Sequence, residues 1–335
     1  MLSLSDFDYS LPKELIAQEP LAGRDSSRLL IIDRQKKTIS HRLFKDLPEY
    51  LMKDDLLVLN DTKVIPVRLL GFKKDTLGKV DALLVSRLSD KKFQALFKPS
   101  LKVNQEVVFN RGSVKARVAS EGVLEFDQDI SAEILEKIGI MPLPPYIKRT
   151  PRLEDNQRYQ TVYARNPGAI ASPTAGLHFT AELIAKLKNK GVEIAYLSLH
   201  TGLGTFRPVK TEDIREHKME KEEFVIPQET LELLNRAQMN KQRIFAVGTT
   251  TTRALETAAL QPPTAGLQGY ADIFIYPGYN FKIVNCLLTN FHLPKTTLFM
   301  LVRALAGRDL VTRAYQEAVE KKYRFYSYGD AMLIL

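Results

Sequence analysis

Cysteine is nearly absent from this sequence: Cys286 is the only one among 335 residues. A single thiol excludes an intrachain disulfide and a thiolate metal cluster, and it fits a reducing cytoplasm. Cys286 lies inside an apolar stretch, where a small buried side chain is more typical than a nucleophile.

Long apolar runs and a leader segment are also missing. No run approaches the length of a membrane-spanning helix, and residues 1–8 lack the basic start and apolar core of a secretion signal. We therefore expect a cytoplasmic protein with no membrane partner. The net charge of +9 favours an anionic partner, of which nucleic acid is the first candidate. A basic soluble enzyme with no such partner would have the same net charge.

Several common chemical motifs are absent as well. The five histidines contain no i, i+4 pair, no P-loop spacing occurs, and Gly202-Leu203-Gly204 is too short a match to a dinucleotide fingerprint. These absences argue against metal hydrolysis, most NTPases and most dehydrogenases. We expect neither a metal nor a bound cofactor.

The chain is long enough for two domains. Residues 67–150 contain short β-rich runs and no long helix before 131–138, which predicts an inserted antiparallel barrel or sandwich. The predicted strands are 67–72, 80–88, 93–98, 106–109, 114–119 and 123–126. Residues 68–150 carry 15 Lys and Arg against 10 Asp and Glu, a net +5. This is a candidate RNA-facing surface, or simply a solvated charged face.

Residues 1–66 and 151–335 form the predicted main α/β domain. Three of its segments, around 168–180, 243–256 and 284–306, place a loop of small and polar residues directly before a helix; in the second and third a strand precedes the loop. A further strand, 192–199, leads into the loop 200–208, and 325–334 is predicted as a final strand. Loops that follow parallel strands gather at one sheet edge, so we predict a binding site there. Tight loops with capping residues are the alternative interpretation.

Chemically useful side chains occur in these loops. His178, His200 and His292 are candidates for proton transfer near neutral pH. Cationic and small or polar residues are candidates for substrate binding. The predicted binding residues are Thr174, Gly176, Arg207, Thr249, Thr250, Arg253, Asn290 and Lys295.

Several segments resemble the signatures of the S-adenosylmethionine:tRNA ribosyltransferase-isomerase family of queuosine biosynthesis. They are 173–180, 204–209, 246–250, 289–295 and 329–334, with 6–9 and 59–62 near the start. The similarity covers essentially the full chain. Thr201 and Leu203 stand where the family pattern has valine and alanine, and Ser172 stands where it has alanine.

The resemblance implies a mixed α/β barrel-like main domain with an inserted β-barrel. It implies transfer of the ribosyl unit of S-adenosylmethionine, a co-substrate, to 7-aminomethyl-7-deazaguanine at the wobble position of tRNA. Epoxyqueuosine would form, with release of adenine and methionine. We expect the protein to act as a monomer.

The implied reaction needs one base, one acid and a carboxylate clamp, because the sulfonium acidifies the adjacent ribose methylene and adenine departs more easily when protonated. On chemical grounds we predict His178 and His292 for proton transfers, with His200 as a third candidate. Arg207, Arg253 or Lys295 would bind the methionine carboxylate or RNA phosphates. A tRNA methyltransferase and a non-catalytic RNA-binding protein remain the alternatives.

Overall fold

The computed structural model describes residues 2–202, 209–261 and 267–335. Within these ranges the chain forms seventeen strands and seven α-helices. The strands are β1 (Arg28–Asp33), β2 (Thr38–Leu43), β3 (Leu56–Asn60), β4 (Thr62–Val64), β5 (Arg68–Lys73), β6 (Lys79–Arg87), β7 (Lys92–Lys98), β8 (Glu106–Phe109), β9 (Val114–Ser120), β10 (Val123–Phe126), β11 (Asn166–Ala169), β12 (Glu193–Leu199), β13 (Glu222–Ile226), β14 (Ile244–Val247), β15 (Leu267–Ala271), β16 (Cys286–Asn290) and β17 (Ala331–Ile334). The helices are α1 (Ala132–Ile138), α2 (Asp155–Arg158), α3 (Ala181–Asn189), α4 (Gln228–Met239), α5 (Thr249–Ala258), α6 (Thr297–Ala306) and α7 (Arg308–Glu320).

Nine strands form one mixed sheet in the order β15, β13, β12, β3, β14, β16, β17, β1, β2. Its central strands β12, β3, β14 and β16 are parallel neighbours. Along β3, Leu56 and Val58 enter one apolar cluster and Leu57 and Leu59 enter the other. Successive side chains of a strand point to opposite faces, so the apolar run of β3 requires cover on both sides. Helices α4 to α7 cover the face that carries Leu56 and Val58. Helix α3 and residues 44–51 cover the face that carries Leu57 and Leu59.

Six antiparallel strands close into a barrel in the order β10, β7, β6, β5, β8, β9. Its strands alternate buried and less buried residues, as Val80, Ala82 and Leu84 do in β6, and the inward residues fill a separate apolar cluster. Close packing of β5 on β8 requires Gly71, since a Cβ there would lie 2.3 Å from the Val108 carbonyl oxygen. The sequence pattern predicted either a barrel or a sandwich, and the closed strand order identifies a barrel.

The predicted fold class, a mixed α/β main domain with an inserted small antiparallel barrel, is confirmed. All six predicted barrel strands are present, and each of their ends lies within one residue of the expected position. The barrel strands lie between Arg68 and Phe126. We keep 67–150 as the proposed inserted domain and 1–66 with 151–335 as the proposed main domain.

The predicted final strand was too long. Strand β17 covers only Ala331–Ile334, because the preceding residues make a tight turn. Tyr326 has a φ of 73°, and the Gly329 amide donates to the Tyr326 carbonyl oxygen at 2.9 Å. This turn brings residues 326 and 327 toward the ends of the central strands.

The central parallel strands end at the same sheet edge, so the loops that follow β3, β12, β14 and β16 lie on one side of the molecule. Gly248 joins β14 directly to α5 with a φ of 93°, a conformation that glycine adopts without steric cost. In the described ranges, no helix is long and apolar enough to cross a membrane.

Candidate active site

A small cavity lies at the carboxyl ends of the central strands. Its volume is about 50 Å³, and several loops distant in sequence contribute to its wall. The described lining residues are 171–175, Thr201, 248–250, 289–292, Leu298, Tyr326 and Ser327. The structure therefore brings together the loops that were predicted to converge.

Two larger hollows lie elsewhere. One of about 740 Å³ is lined by residues of 5–10 and of helices α6 and α7, and one of about 480 Å³ lies where the barrel meets residues 63–67 and 165–170. Neither is lined by a predicted catalytic histidine. The smaller cavity is the better candidate site because it contains several of the predicted groups.

Thr249 and Thr250 line the cavity at the beginning of helix α5. Their backbone amides belong to the first turn, whose N–H groups have no acceptor inside the helix. Gly248 precedes them and has no side chain with which to cap the helix. A hydrogen bond from the end of β3 also fixes Thr250, since Asn60 Nδ2 donates to Thr250 Oγ1 at 3.4 Å.

Thr174 and Asn290 line the cavity and are bonded to each other. Thr174 Oγ1 donates to Asn290 Oδ1 at 3.0 Å. Asn290 Nδ2 lies 3.0 Å from His178 Nε2 and 3.4 Å from the Asp330 carbonyl oxygen. Because a carbonyl only accepts, the amide nitrogen must face both Asp330 and His178.

His178 is therefore a neutral imidazole with both ring nitrogens engaged. Its Nε2 accepts from Asn290, so Nδ1 carries the proton and donates to Ser27 Oγ at 2.8 Å. The ring stacks on Phe44, with centroids 4.9 Å apart. Burial lowers the pKa of His178 to about 4. His178 does not line the cavity; it reaches the cavity through Asn290.

His292 does line the cavity. Its Nε2 lies 2.9 Å from Thr289 Oγ1, and its backbone is fixed by two tyrosines: its amide donates to Tyr315 Oη at 3.1 Å and its carbonyl accepts from Tyr9 Oη. Burial lowers the pKa of His292 to about 3. His292 is consequently neutral at physiological pH.

His200 is placed differently from the other two. Its Nδ1 lies 2.7 Å from Thr62 Oγ1, and its ring packs against Gly168, where a Cβ would lie 2.8 Å from the ring. Burial lowers the pKa of His200. His200 is not among the described residues that line the cavity.

Two of the three predicted cations are already paired. Arg253 is 4% exposed and binds the buried Glu222 carboxylate and the Ala271 carbonyl. Lys295 Nζ lies 2.6 Å from Asp8 Oδ2. Neither is among the lining residues of the cavity. Arg207, the third, lies outside the described residues.

Gly176 serves close packing in this structure. A Cβ on Gly176 would lie 2.1 Å from Tyr163 Oη and 2.8 Å from Thr161 Cγ2. Gly176 does not line the cavity, whereas the neighbouring Ala175 does. The glycine therefore lets the 173–178 turn lie against residues 161–163.

Five lining residues with hydroxyl groups were not among the predicted site residues: Ser172, Thr201, Thr289, Tyr326 and Ser327. Ser172 is 6% exposed and Thr201 is 2% exposed, yet neither hydroxyl has a hydrogen-bond partner. Buried hydroxyls are normally bonded, so these two are exceptions that call for an explanation. Their sequence context of small residues gives no sign of this.

The cavity wall carries no formal charge at neutral pH in its described part. Its polar groups are hydroxyls, amides and the neutral His292, with no Asp, Glu, Lys or Arg. Across the described ranges, no three His, Cys, Asp or Glu side chains are grouped to hold a metal ion. The arrangement supplies hydrogen bonds and one imidazole.

The fold is that of a mixed α/β protein with an inserted β-barrel, and a cavity lies at the ends of its parallel strands. The sequence model of the family described as "Queuosine biosynthesis protein" matches residues 4–334. The chain belongs to this family.

The similarity to known proteins extends over the whole chain. It is 52% identical to the S-adenosylmethionine:tRNA ribosyltransferase-isomerase of Sulfurihydrogenibium sp. (strain YO3AOP1), covering 100% of both chains. It is also 52% identical to the protein of that name from Acetivibrio thermocellus, covering 99% of this chain and 100% of the relative. The crystal structure of S-adenosylmethionine tRNA ribosyltransferase from Thermotoga maritima matches with a TM-score of 0.59 and 39% identity, over 98% of this chain and 100% of that chain.

Proposed function

We propose that this chain is an S-adenosylmethionine:tRNA ribosyltransferase-isomerase. It transfers the ribosyl unit of S-adenosylmethionine to 7-aminomethyl-7-deazaguanine at the tRNA wobble position. The product is epoxyqueuosine, and adenine and methionine are released. Family membership over residues 4–334 supports this assignment, as do full-length relatives that carry the activity in their names.

The observation that carries the proposal is the cavity at the strand ends, whose described wall offers a neutral imidazole among hydroxyls and amides. The sulfonium of S-adenosylmethionine already acidifies the neighbouring ribose methylene, so the protein has to move protons and hold the substrate. Side chains of this kind suit both tasks. S-adenosylmethionine is therefore a co-substrate in the proposal, and no further cofactor is invoked.

Among the predicted histidines we assign proton transfer to His292, which lines the cavity. Burial keeps its imidazole neutral, and a neutral imidazole has one ring nitrogen that can accept a proton. Once it has taken the ribose methylene proton, His292 readily passes a proton to a ring nitrogen of the departing adenine.

His178 acts in this proposal as a positioning residue. By accepting from Asn290 Nδ2 it holds the amide so that Oδ1 faces Thr174. Both Asn290 and Thr174 line the cavity and remain proposed substrate-binding residues with Thr249 and Thr250. His200, Gly176, Arg253 and Lys295 support the surrounding structure, and Arg207 remains a candidate for substrate anions.

The tRNA binds through the basic inserted barrel as well as at the cavity. Residues 68–150 carry a net charge of +5, and lysine or arginine contacts to phosphates supply most non-specific affinity for nucleic acid. We further propose that the protein acts as a monomer in the cytoplasm.

Mass spectrometry of the anticodon loop tests the proposed function. Wild-type protein is incubated with S-adenosylmethionine and tRNA that carries 7-aminomethyl-7-deazaguanine. The wobble base should gain the epoxycyclopentanediol group derived from ribose. Addition of a methyl group would identify a methyltransferase, and binding without any mass change would identify a non-catalytic RNA-binding protein.

A further inference from the structure

A second, smaller hollow lies next to the cavity. Its volume is about 20 Å³, and Ser327 lines both. His178 lines the hollow and lies 3.0 Å from Asn290 Nδ2, and Asn290 lines the cavity. Arg24 and Arg158 line the hollow as well, and we call it the arginine hollow. A group bound there is a neighbour of a substrate in the cavity.

The arginine hollow carries positive charge that no acidic group balances. Its described lining residues include two arginines and no aspartate or glutamate. Arg24 donates to the Leu177 carbonyl at 3.0 Å and to the Gln157 carbonyl at 2.7 Å. Arg158 donates to the carbonyls of residues 21 and 22 at 2.6 and 2.8 Å. Because these acceptors are neutral, the two charges have no counter-ion in the described part of the protein.

The two guanidinium groups are close enough to affect each other. Burial lowers the pKa of Arg24, and the positive charge of Arg158 lowers it further. Each guanidinium has five N–H groups, and the bonds to carbonyls use two of them. Arg24 Nε has no acceptor within the described ranges, yet it is open to solvent. An anion in the hollow would reduce the repulsion and accept from the unused N–H groups.

The chemistry and the exposure of the hollow favour a phosphodiester. The planar fork of arginine matches the oxygens of a phosphate group. Arg24 and Arg158 are half-buried and the lining residue Gly23 is exposed, so the hollow opens to solvent. A phosphodiester requires this opening, because the RNA chain continues on both sides of it. A tRNA that brings its wobble base to the cavity places the adjoining phosphates nearby.

We infer that the arginine hollow binds a backbone phosphate of tRNA next to the wobble nucleotide. The inference rests on the proposed function, which brings the wobble base to the cavity. Phosphate contacts fix the register of a protein on nucleic acid without reading its sequence. Arg24 and Arg158 therefore position the wobble nucleotide beside His292, and they do so from the main domain rather than from the barrel.

Removing either positive charge tests the inference. Arg24→Gln and Arg158→Gln each remove one charge, while the glutamine amide can still donate to a backbone carbonyl. For each variant the Kd for modified tRNA should rise about tenfold or more, as expected for lost hydrogen bonds to a charged group. The slope of log K against log salt concentration should fall by up to about 0.9. Arg24→Lys keeps the charge and should keep the wild-type slope.

Arg34→Gln is the matched control. Arg34 is also half-buried, and it too donates only to backbone carbonyls, those of Leu335, Leu305 and Asn285. It lies at the other end of the sheet, because Asn285 directly precedes β16. This variant should bind tRNA with the wild-type Kd and salt slope. An equal loss in Arg34→Gln would show an effect of net charge or of lost backbone support, and the inference would be wrong.

A neutral phosphate in the RNA tests the position of the contact. One phosphate on either side of the wobble nucleotide is replaced by a methylphosphonate, and each RNA is compared with its unmodified counterpart. At one of the two positions wild type should lose about tenfold in affinity, and Arg24→Gln should lose little more, because both changes remove the same contact. Additive losses at both positions would contradict a contact between Arg24 and these phosphates. The wild-type arm does not depend on how well any variant folds.

The outcomes separate the inference from the proposed function. Suppose wild type transfers the ribosyl unit, but Arg24→Gln and Arg158→Gln bind tRNA as Arg34→Gln does: the phosphate site is then wrong and the proposed function stands. A raised Kd for S-adenosylmethionine with unchanged tRNA binding would identify a site for the methionine carboxylate and also overturn the inference. If wild type transfers no ribosyl unit, the proposed function fails, and the placing of this phosphate beside the wobble nucleotide fails with it.

Discussion

At the scale of single residues, burial decides how the histidines behave. His178 and His292 are each 5% exposed, and burial lowers their pKa values to about 4 and about 3. In the unfolded chain both would titrate near the ordinary histidine value of about 6.5. The folded state therefore binds fewer protons than the unfolded state at mildly acidic pH.

The sign of the resulting pH dependence follows from this difference. Both groups stabilise the fold fully above about pH 6.5, and that stability is lost as the pH falls toward the folded pKa values. As the pH falls from about 6 to about 4, each histidine should lower the free energy of unfolding by up to about 1.4 kcal/mol per pH unit. Urea unfolding at a series of pH values measures the slope.

Single variants show which residue causes the slope. His178→Gln and His292→Gln should each reduce it by up to about 1.4 kcal/mol per pH unit, even if they lower stability at pH 7. His41→Gln, on strand β2, is the control and should leave the contribution of the two buried histidines in place. A slope that survives both buried substitutions would contradict the assigned protonation states.

At the scale of secondary-structure elements, much of the fold follows from local patterns. The alternating burial of β6 and the Thr180 cap of α3, whose hydroxyl accepts from the Leu183 amide, are visible in the sequence as spacing and residue type. The order strand, loop, helix also predicted loops that line the cavity. These features depend on neighbours only a few residues apart.

Features made by distant partners were not predictable in this way. The ion pair of Arg253 on helix α5, a residue predicted to bind substrate, is with Glu222 of strand β13, thirty-one residues away in the chain. The tight turn at 326–329 places Ser327 in the cavity, although the local pattern indicated a strand. Nor does sequence spacing show that the Ser172 hydroxyl lacks a partner.

The inserted barrel gives a prediction at the same scale. Lys74 and Lys92 form ion pairs with glutamates of the barrel, whereas Lys91 and Lys102 are exposed and Lys73 is partly exposed. Reversing Lys73, Lys91 and Lys102 to glutamate should weaken tRNA binding and flatten its salt dependence, because fewer counterions are released. The slope of log K against log salt concentration should fall by up to about 0.9 for each lost phosphate contact.

A matched variant controls for net charge. Lys186, Lys188 and Lys221 are exposed residues of the main domain, and reversing them changes the total charge equally. This control should keep the wild-type salt slope. If instead both triple variants lose affinity to the same extent, the effect is one of overall charge, and the barrel is not a tRNA-binding surface.

At the scale of the whole molecule, the site exists only when the main domain has folded. Its wall comes from residues near 171–175, 248–250, 289–292 and 326–327, which one mixed sheet brings to a common edge. The candidate proton donor His292 is held there by Tyr9 and Tyr315, from opposite ends of the chain. Assembly of the sheet therefore forms the cavity and fixes the imidazole together.

Single-turnover release of adenine from S-adenosylmethionine in the presence of modified tRNA tests the central claim most directly. Wild type should release adenine and methionine in equal amounts, with no S-adenosylhomocysteine. His292→Asn should slow release by about 10²–10⁴-fold while still binding both substrates, as expected for loss of general acid–base catalysis. His200→Asn should remain close to wild type. Formation of S-adenosylhomocysteine, or near-normal adenine release by folded, substrate-bound His292→Asn, would contradict the assignment of ribosyl transfer to this cavity.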